Sequence, residues 1–277
     1  MTSFGERIRA GTASHGRLCV GIDPHASLLD EWGMDASAAG AREFGLRVVE
    51  AAAGRVAVVK PQVSFFERHG SAGLAALEEV MAAARRAGLL VIADAKRGDI
   101  GSTMDAYAKA WLTPGSPLEA DALTANPFLG LGTLEGTFDL AERSGKGVFV
   151  LAATSNPDAF TAQRARGADG KTVSAAIVRE VSARNERTTP SGEWASIGFV
   201  IGGTVDWEDA GLGPFAPVAP ILGPGFGYQG AEPEHVQTRF GEMASAVIAS
   251  ESRSILAAGP DRLAARIDER ALLYRGD

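Results

Sequence analysis

An apolar run meets a cluster of charged residues in the segment Leu89-Leu90-Val91-Ile92-Ala93-Asp94-Ala95-Lys96-Arg97-Gly98-Asp99. A continuous apolar run of this kind is typical of a parallel strand that is covered on both faces. Polar residues that directly follow such a strand lie at its carboxyl end, where closed α/β barrels carry their active sites. The segment therefore predicts a buried strand followed immediately by a candidate site.

Runs of the same kind recur along the chain and alternate with segments whose apolar residues are three and four apart, which predict helices. The predicted strands are Leu18–Asp23, Val56–Lys60, Leu89–Asp94, Ala122–Thr124, Val148–Ala152, Ser196–Ile201, Val218–Leu222 and Ser245–Ala249. The predicted helices are Ala38–Ala52, Leu74–Arg86, Thr103–Trp111, Leu131–Ser144, Thr172–Arg187 and Arg262–Leu273.

This alternation permits either an open doubly wound sheet or a closed barrel. The number of runs and the length of 277 residues favour closure. We therefore predict an α/β fold, a single (β/α)8 TIM barrel over residues 1–277. Two segments are the weakest in this pattern: Ala122–Thr124 is short, and Gly211–Gly230 is so rich in Gly and Pro that it could be connection alone.

Composition excludes several classes of protein. The formal net charge is -7, which argues against a nucleic-acid partner because such binding needs a basic face. No apolar run approaches membrane-spanning length, and no apolar leader precedes Gly16. Cys19 is the only cysteine, so a disulfide framework or a zinc site is not expected. We expect a cytoplasmic protein with no membrane partner.

The residues that follow the predicted strands include two lysines, Lys60 and Lys96. Helix capping would explain Asp, Ser, Thr or Asn at such positions, but it does not explain lysine. Asp94 and Lys96 are two residues apart on extended backbone, so their side chains should share a face. A lysine there suits a proton donor, and a carboxylate near an anionic substrate group would raise its ground-state energy. Asp99 could belong to this group or could cap the helix that starts near Thr103.

A second group combines the loop Gly223-Pro224-Gly225-Phe226-Gly227-Tyr228-Gln229-Gly230 with Arg253, which comes one predicted strand later. Glycines expose backbone N–H groups to an anion, and the last two loops of such barrels commonly bind phosphate. Turn formation is the more common role of a glycine-rich loop. The pairing with Arg253, which can supply a bidentate fork, favours a phosphate site.

The segment from Asp94 to Thr103 resembles the Asp-x-Lys-x-x-Asp-Ile-x-x-Thr signature of the orotidine 5′-phosphate decarboxylase family. The resemblance extends from Asp23 to Arg253, with the lysine, the glycine-rich loop and the late arginine in the family's order. The length and the segments Thr154–Pro157 and Ser252–Leu256 are similar to the longer bacterial, type 2 branch.

The resemblance implies a homodimer with shared active sites that converts orotidine 5′-monophosphate to UMP and CO2 without a metal or organic cofactor. It implies that Asp94 faces the C6 carboxylate, that Lys96 protonates C6, and that Lys60 holds Asp94 and the ribose hydroxyls. It also implies that Asp99, Ile100 and Thr103 reach into the partner's site. The remaining substrate-binding residues that it implies are Asp23 at the ribose, Ser155 at the pyrimidine edge, Pro224 in the glycine-rich loop, and Gln229 and Arg253 at the phosphate.

Two other functions are compatible with parts of the pattern. A Mg²⁺-dependent sugar-phosphate enzyme of the same barrel superfamily shares Asp-x-Lys-x-x-Asp, but Lys60 would repel a cation. A non-catalytic nucleotide-phosphate binder is the other alternative. The insertion Asn156–Lys171 carries Arg164 and Arg166 and is interpreted either as a lid or as a solvated basic loop.

Overall fold

The computed structural model describes residues 2–275, and the eight strands in this range form one closed parallel barrel. Each strand pairs with the next along the chain, and the last pairs with the first. The predicted (β/α)8 TIM barrel is thereby confirmed. The strands are β1 (Leu18–Ile22), β2 (Val58–Pro61), β3 (Leu90–Arg97), β4 (Ala122–Ala125), β5 (Gly147–Ala153), β6 (Ile197–Ile201), β7 (Ile221–Pro224) and β8 (Val247–Glu251).

Helices surround the barrel and pack their apolar faces against the outer side of the sheet. No helix within residues 2–275 is long and apolar enough to cross a membrane. The helices are α1 (Phe4–His15), α2 (Ala26–Glu31), α3 (Ala38–Ala52), α4 (Ser64–Glu67), α5 (Gly70–Arg86), α6 (Gly101–Leu112), α7 (Glu135–Arg143), α8 (Phe160–Gln163), α9 (Val173–Thr188), α10 (Val236–Phe240), α11 (Arg253–Leu256) and α12 (Leu263–Leu272).

The barrel interior is filled by one apolar layer that receives a side chain from every strand. Helix α1 seals the amino-terminal end of this layer, where the buried ring of Phe4 meets Phe149 edge to face at 5.9 Å. Gly147 has no side chain because a Cβ there would overlap Phe4. The cavity of the barrel opens at the opposite, carboxyl end. The residues of the layer are Cys19, Val58, Ile92, Ala122, Phe149, Val200, Leu222 and Ile248.

The bounds of two late strands differ from the predicted ones. β7 begins at Ile221 and not at Val218, since Pro220 has no N–H to donate to a ladder. β8 covers Val247–Glu251 because the preceding residues, Gly241–Ala246, form a 3₁₀ segment. The shift matters for function, since it places Glu251 inside the strand.

Other local differences have simple causes. Helix α1 was not predicted, because Phe4 and Ile8 are its only large buried apolar side chains and leave no extended apolar stripe. The predicted helix Leu131–Ser144 begins as a 3₁₀ turn, and only Glu135–Arg143 is α-helical. The short segment at Ala122 is a strand as predicted.

Candidate active site

A cavity of about 280 Å³ opens at the carboxyl ends of the strands. Side chains of a strand point to the same face every second residue, so the residue two after an interior apolar residue also faces the barrel axis. Lys60 follows Val58 in this way, and Asp94 follows Ile92. The apolar layer thus forms the floor beneath a polar lining. The floor and walls of the cavity together are lined by Asp23, His25, Lys60, Gln62, Asp94, Lys96, Leu151, Thr154, Val200, Leu222, Pro224, Gly225, Phe226, Tyr228, Gln229, Ser250, Ser252 and Arg253.

A charged network occupies the centre of the cavity. The Nζ atom of Lys60 donates to Oδ2 of Asp94 at 3.0 Å, and Nζ of Lys96 donates to Oδ1 at 2.5 Å. The hydroxyl of Thr124 also donates to Oδ1 of Asp94, at 3.0 Å. Nζ of Lys60 lies 4.0 Å from Oδ1 of Asp23. The structure therefore brings two of the predicted site residues, Lys60 and Lys96, together around the carboxylate of the third, Asp94.

The electrostatics of this network keep its carboxylate ionised. Burial alone would raise the pKa of Asp94, but the ammonium groups of Lys60 and Lys96 outweigh burial and hold the pKa at about 2. Burial likewise tends to lower the pKa of Lys60, whereas Asp94 and Asp23 raise it, and the net pKa lies above the ordinary lysine value. At neutral pH the site therefore contains a buried anion with a cation on either side.

The backbone at Lys96 differs from the extended conformation expected from the sequence. Lys96 has a φ of 48°, the only positive φ at a non-glycine residue within residues 2–275, and the β3–β4 register shifts between Ala93 and Arg97. The N–H of Lys96 donates to Oγ1 of Thr124 at 2.9 Å, which supports this turn. A left-handed lysine is strained, and such strain is concentrated at functional sites. The side chains of Asp94 and Lys96 share a face as predicted, but a bulge in the strand and not a regular extended backbone places them there.

Two atoms of the cavity have unused hydrogen-bonding capacity. Oδ1 of Asp23 and Oγ of Ser252 are buried and have no hydrogen-bond partner among residues 2–275. An unpaired buried polar atom costs free energy, which a ligand with hydroxyl or other polar groups would recover. The cavity is therefore suited to a polar ligand.

The glycine-rich loop and Arg253 meet on one side of the cavity, as predicted. Gly225 and Gly227 have φ values of 102° and 73°, which side chains with a Cβ rarely adopt. The guanidinium of Arg253 lies 3.7 Å from the ring centroid of Tyr228, where cation–π attraction orients its fork. Gln229 lines the same side. Donors of the kind that bind a phosphate thus converge at this end.

Ser155 and His25 lie at the rim. Oγ of Ser155 is 3.5 Å from Oε1 of Gln229. His25 lines the cavity, and its ring packs against Phe65 at a tilt of 59° with 4.2 Å between ring centroids. Burial lowers the pKa of His25, with Arg253 nearby acting in the same direction.

Asp99, Ile100 and Thr103 do not line this cavity. Oδ1 of Asp99 accepts the N–H of Ile100 at 2.8 Å, and helix α6, which begins at Gly101, receives no side-chain cap. The capping interpretation of Asp99 is therefore wrong. Ile100 and Thr103 are exposed on the outer surface beside the site.

Thr124 is a further candidate residue of this site that the sequence did not single out. It is fully buried, and it contacts both the carboxylate of Asp94 and the backbone of Lys96. The available signal was its position as the polar last residue of the shortest predicted strand.

The insertion between β5 and α9 contacts the rim of the cavity through Gln163. Nε2 of Gln163 donates to Oγ1 of Thr154 at 2.9 Å, and Oε1 of Gln163 accepts the backbone N–H of Thr154 at 2.9 Å. Its basic residues lie elsewhere: Arg164 pairs with Asp209 at 3.0 Å, and Arg166 donates to the carbonyl of Gly170. The structure therefore does not bring these cations into the cavity. Within residues 2–275 no cluster of three or more His, Cys, Asp or Glu side chains is arranged to bind a metal.

Comparisons with known proteins agree on one family. The model of the orotidine 5′-phosphate decarboxylase / HUMPS family matches residues 16–267. The chain is 49% identical over 266 residues to an orotidine 5′-phosphate decarboxylase of Salinispora tropica, covering 96% of this chain and 94% of the relative. It is 48% identical over 276 residues to the protein of that name from Corynebacterium efficiens, covering 99% and 98%. A Streptomyces avermitilis crystal structure, given as a candidate orotidine 5′-phosphate decarboxylase, superposes with a TM-score of 0.93 at 45% identity, covering 99% of this chain and 95% of that chain.

Proposed function

The chain belongs to the orotidine 5′-phosphate decarboxylase / HUMPS family, and we propose that it converts orotidine 5′-monophosphate to UMP and CO2 in pyrimidine biosynthesis. It acts as a carboxy-lyase whose single barrel carries the activity. The observation that supports this proposal best is the buried carboxylate of Asp94, held ionised between Lys60 and Lys96.

Asp94 provides the driving force at the carboxyl group of the substrate. With the pyrimidine in the cavity, the C6 carboxylate lies against the Asp94 carboxylate, and two anions in a partly desolvated site repel each other. When the bond from C6 to the carboxyl carbon breaks, the electron pair stays on C6 and neutral CO2 leaves. The repulsion is relieved as the transition state is approached, so the interaction favours the transition state over the bound substrate.

Lys96 stabilises and then protonates the carbanion. Its ammonium group carries the charge that a C6 carbanion needs nearby, and such preorganised charge is usually the largest catalytic contribution. Proton transfer to C6 forms UMP and leaves Lys96 neutral. The Lys96 side chain is 46% exposed, against 7% for Lys60, so Lys96 can take a new proton from solvent while Lys60 holds Asp94 in place.

The Mg²⁺-dependent alternative is poorly supported by the same geometry. Nζ of Lys60 lies 3.0 Å from Oδ2 of Asp94, where a divalent ion would have to share the carboxylate with an ammonium group. The reaction proposed here needs no metal. Asp94, Lys60 and Lys96 supply the necessary charges themselves.

The assay that tests the function follows the absorbance of orotidine 5′-monophosphate with purified protein in excess EDTA, and again after Mg²⁺ is added. We expect rapid conversion to UMP at the same rate in both conditions. Conversion of sugar phosphates alone, and only with Mg²⁺, would contradict the proposal. Binding of UMP without turnover would favour a non-catalytic nucleotide binder.

Arg253→Ala should raise KM for orotidine 5′-monophosphate about 10- to 100-fold, because a charge-assisted, bidentate contact to the phosphate is lost. A smaller fall in kcat should accompany it, since energy from the remote phosphate supports the chemical step. Steady-state kinetics measure both effects.

The matched control for this variant is orotidine, which lacks the phosphate. Wild-type protein and Arg253→Ala should have similar kcat/KM for orotidine. An equal loss of kcat/KM for orotidine and for orotidine 5′-monophosphate would show that Arg253 does not act through the phosphate but supports the structure of the whole site.

A further inference from the structure

A fully buried carboxylate, Glu251, lies behind the phosphate-facing end of the cavity. It is the last residue of β8, and because its neighbour Ser250 lines the cavity, Glu251 points outward to the helix layer. There Arg270 of α12 donates Nε to Oε2 at 2.9 Å and a second guanidinium nitrogen to Oε1 at 2.5 Å. The hydroxyl of Tyr274 donates to Oε1 at 2.6 Å. The carboxylate thereby ties α12 to the end of β8.

The same carboxylate holds the residue next to Arg253. Oγ of Ser254 donates to Oε2 of Glu251 at 2.6 Å. Arg253 and Ser254 are the first two residues of the short helix α11. Fixing Ser254 therefore limits the positions that the backbone of Arg253 can take.

The glycine-rich loop rests on this network as well. A Cβ at Gly227 would lie 2.7 Å from Oγ of Ser254 and 3.0 Å from Oε2 of Glu251, so the loop backbone lies directly against both groups. The ring of Phe226 packs edge to face on Tyr274 with 5.9 Å between centroids. The two elements that face the phosphate are thus supported by one set of side chains.

The charges in the network are balanced. A lone carboxylate behind an anion site would repel the ligand, and Arg270 compensates this charge. Burial tends to lower the pKa of Arg270, but Glu251 raises it above the ordinary value. Burial and the Glu251 carboxylate raise the pKa of Tyr274, so its hydroxyl remains a donor. A buried ion pair is by itself weak evidence for stability. Stability therefore does not explain why the pair of Glu251 and Arg270 lies beside the phosphate-facing end of the cavity.

We propose that Arg270 and Tyr274 are positioning residues for phosphate recognition: through Glu251 they hold Arg253 and the loop Gly225–Gln229 in the geometry that binds a phosphomonoester dianion. This inference rests on the proposed function and deepens it, because it assigns part of substrate binding to residues that do not touch the cavity.

Two variants test the proposal in the full-length protein. Tyr274→Phe removes the hydroxyl and keeps the ring that packs on Phe226, and Arg270→Lys keeps the charge and removes the fork. The measurements are kcat and KM for orotidine 5′-monophosphate, and the dissociation constants of UMP and uridine by competition. We expect KM and the UMP dissociation constant to rise about tenfold. The uridine constant should stay unchanged, because uridine has no phosphate.

Arg184→Lys is the matched control. Arg184 forms a comparable clamp, donating to Glu135 and Glu142 between α9 and α7, outside the cavity lining. It should lower the melting temperature without changing the ratio of the uridine and UMP constants. A purely structural role of Arg270 and Tyr274 would give the same result.

The outcomes separate two kinds of failure. If wild-type protein turns over orotidine 5′-monophosphate but Tyr274→Phe and Arg270→Lys leave the uridine-to-UMP ratio unchanged, the positioning inference is overturned and the function stands. If wild-type protein neither turns over this substrate nor binds UMP, the proposed function is overturned and the inference with it. Should Arg270→Lys fail to fold, Tyr274→Phe alone decides.

Discussion

Lys96→Ala should lower kcat for orotidine 5′-monophosphate by on the order of 10⁴-fold or more, because it removes both the general acid and the ammonium group beside the developing carbanion. UMP binding should remain close to that of the wild type, since UMP carries no negative charge at C6 for Lys96 to stabilise. Single-turnover kinetics and calorimetric titration with UMP measure the two quantities. A large loss of turnover with retained binding would identify Lys96 as a group that acts in the chemical step.

The control for this variant is Lys109→Ala, which removes an exposed lysine of α6 outside the cavity lining. It should leave kcat within about twofold of the wild type, as surface substitutions usually do. If Lys96→Ala kept kcat within about tenfold of the wild type, Lys96 could not be the general acid, whose removal typically costs 10²- to 10⁴-fold.

The resemblance implies a homodimer with shared active sites, so mixed dimers should regain activity when one subunit carries Asp99→Asn and the other carries Lys96→Ala. Asp99 is not among the lining residues of its own cavity, and the adjacent Ile100 is 61% exposed. Phe128, which is 85% exposed, follows two residues after Asn126, whose backbone lies against Gly98. Exposed apolar side chains of this size favour a contact with a second copy. In a symmetric dimer, Asp99 of one subunit would then complete the site that contains Lys96 of the other.

The expected recovery follows from the statistics of mixing. Each homodimer should be nearly inactive, whereas random exchange makes about half of the dimers mixed, each with one complete site, so the mixture should reach about a quarter of wild-type activity. Lys60→Ala mixed with Lys96→Ala is the control, because both lysines contact Asp94 within one chain. That mixture should regain nothing. No recovery of the first mixture, after subunit exchange is verified, would place Asp99 in the site of its own subunit.

The sequence allowed the barrel and most of the cavity to be predicted. Burial on both faces leaves a continuous apolar run at each strand, and this signal survives in a single sequence because it depends only on which residues avoid water. The polar residues that follow the apolar runs, such as Lys60 and Arg253, were recognisable as candidate site residues because helix capping does not require a lysine or an arginine. The bounds of strands were predicted less accurately where a proline or a 3₁₀ segment precedes the strand, as before β7 and β8.

Other features depend on how distant segments pack. The left-handed backbone of Lys96 is supported by Thr124, which belongs to the neighbouring strand. The network behind the glycine-rich loop joins Glu251 to Arg270 and Tyr274, about 20 residues later in the chain.

The amino-acid sequence by itself therefore determined the succession of the eight strands and the charged residues that follow them, and it favoured a closed barrel, because periodicity and burial are local properties of the chain. The tertiary structure determined which of these charges meet at Asp94, that Asp99 lies outside the lining of its own cavity, and that Glu251 lies directly against the glycine-rich loop. Those arrangements follow from strand register and helix docking, which bring together residues with no periodic relation in the sequence.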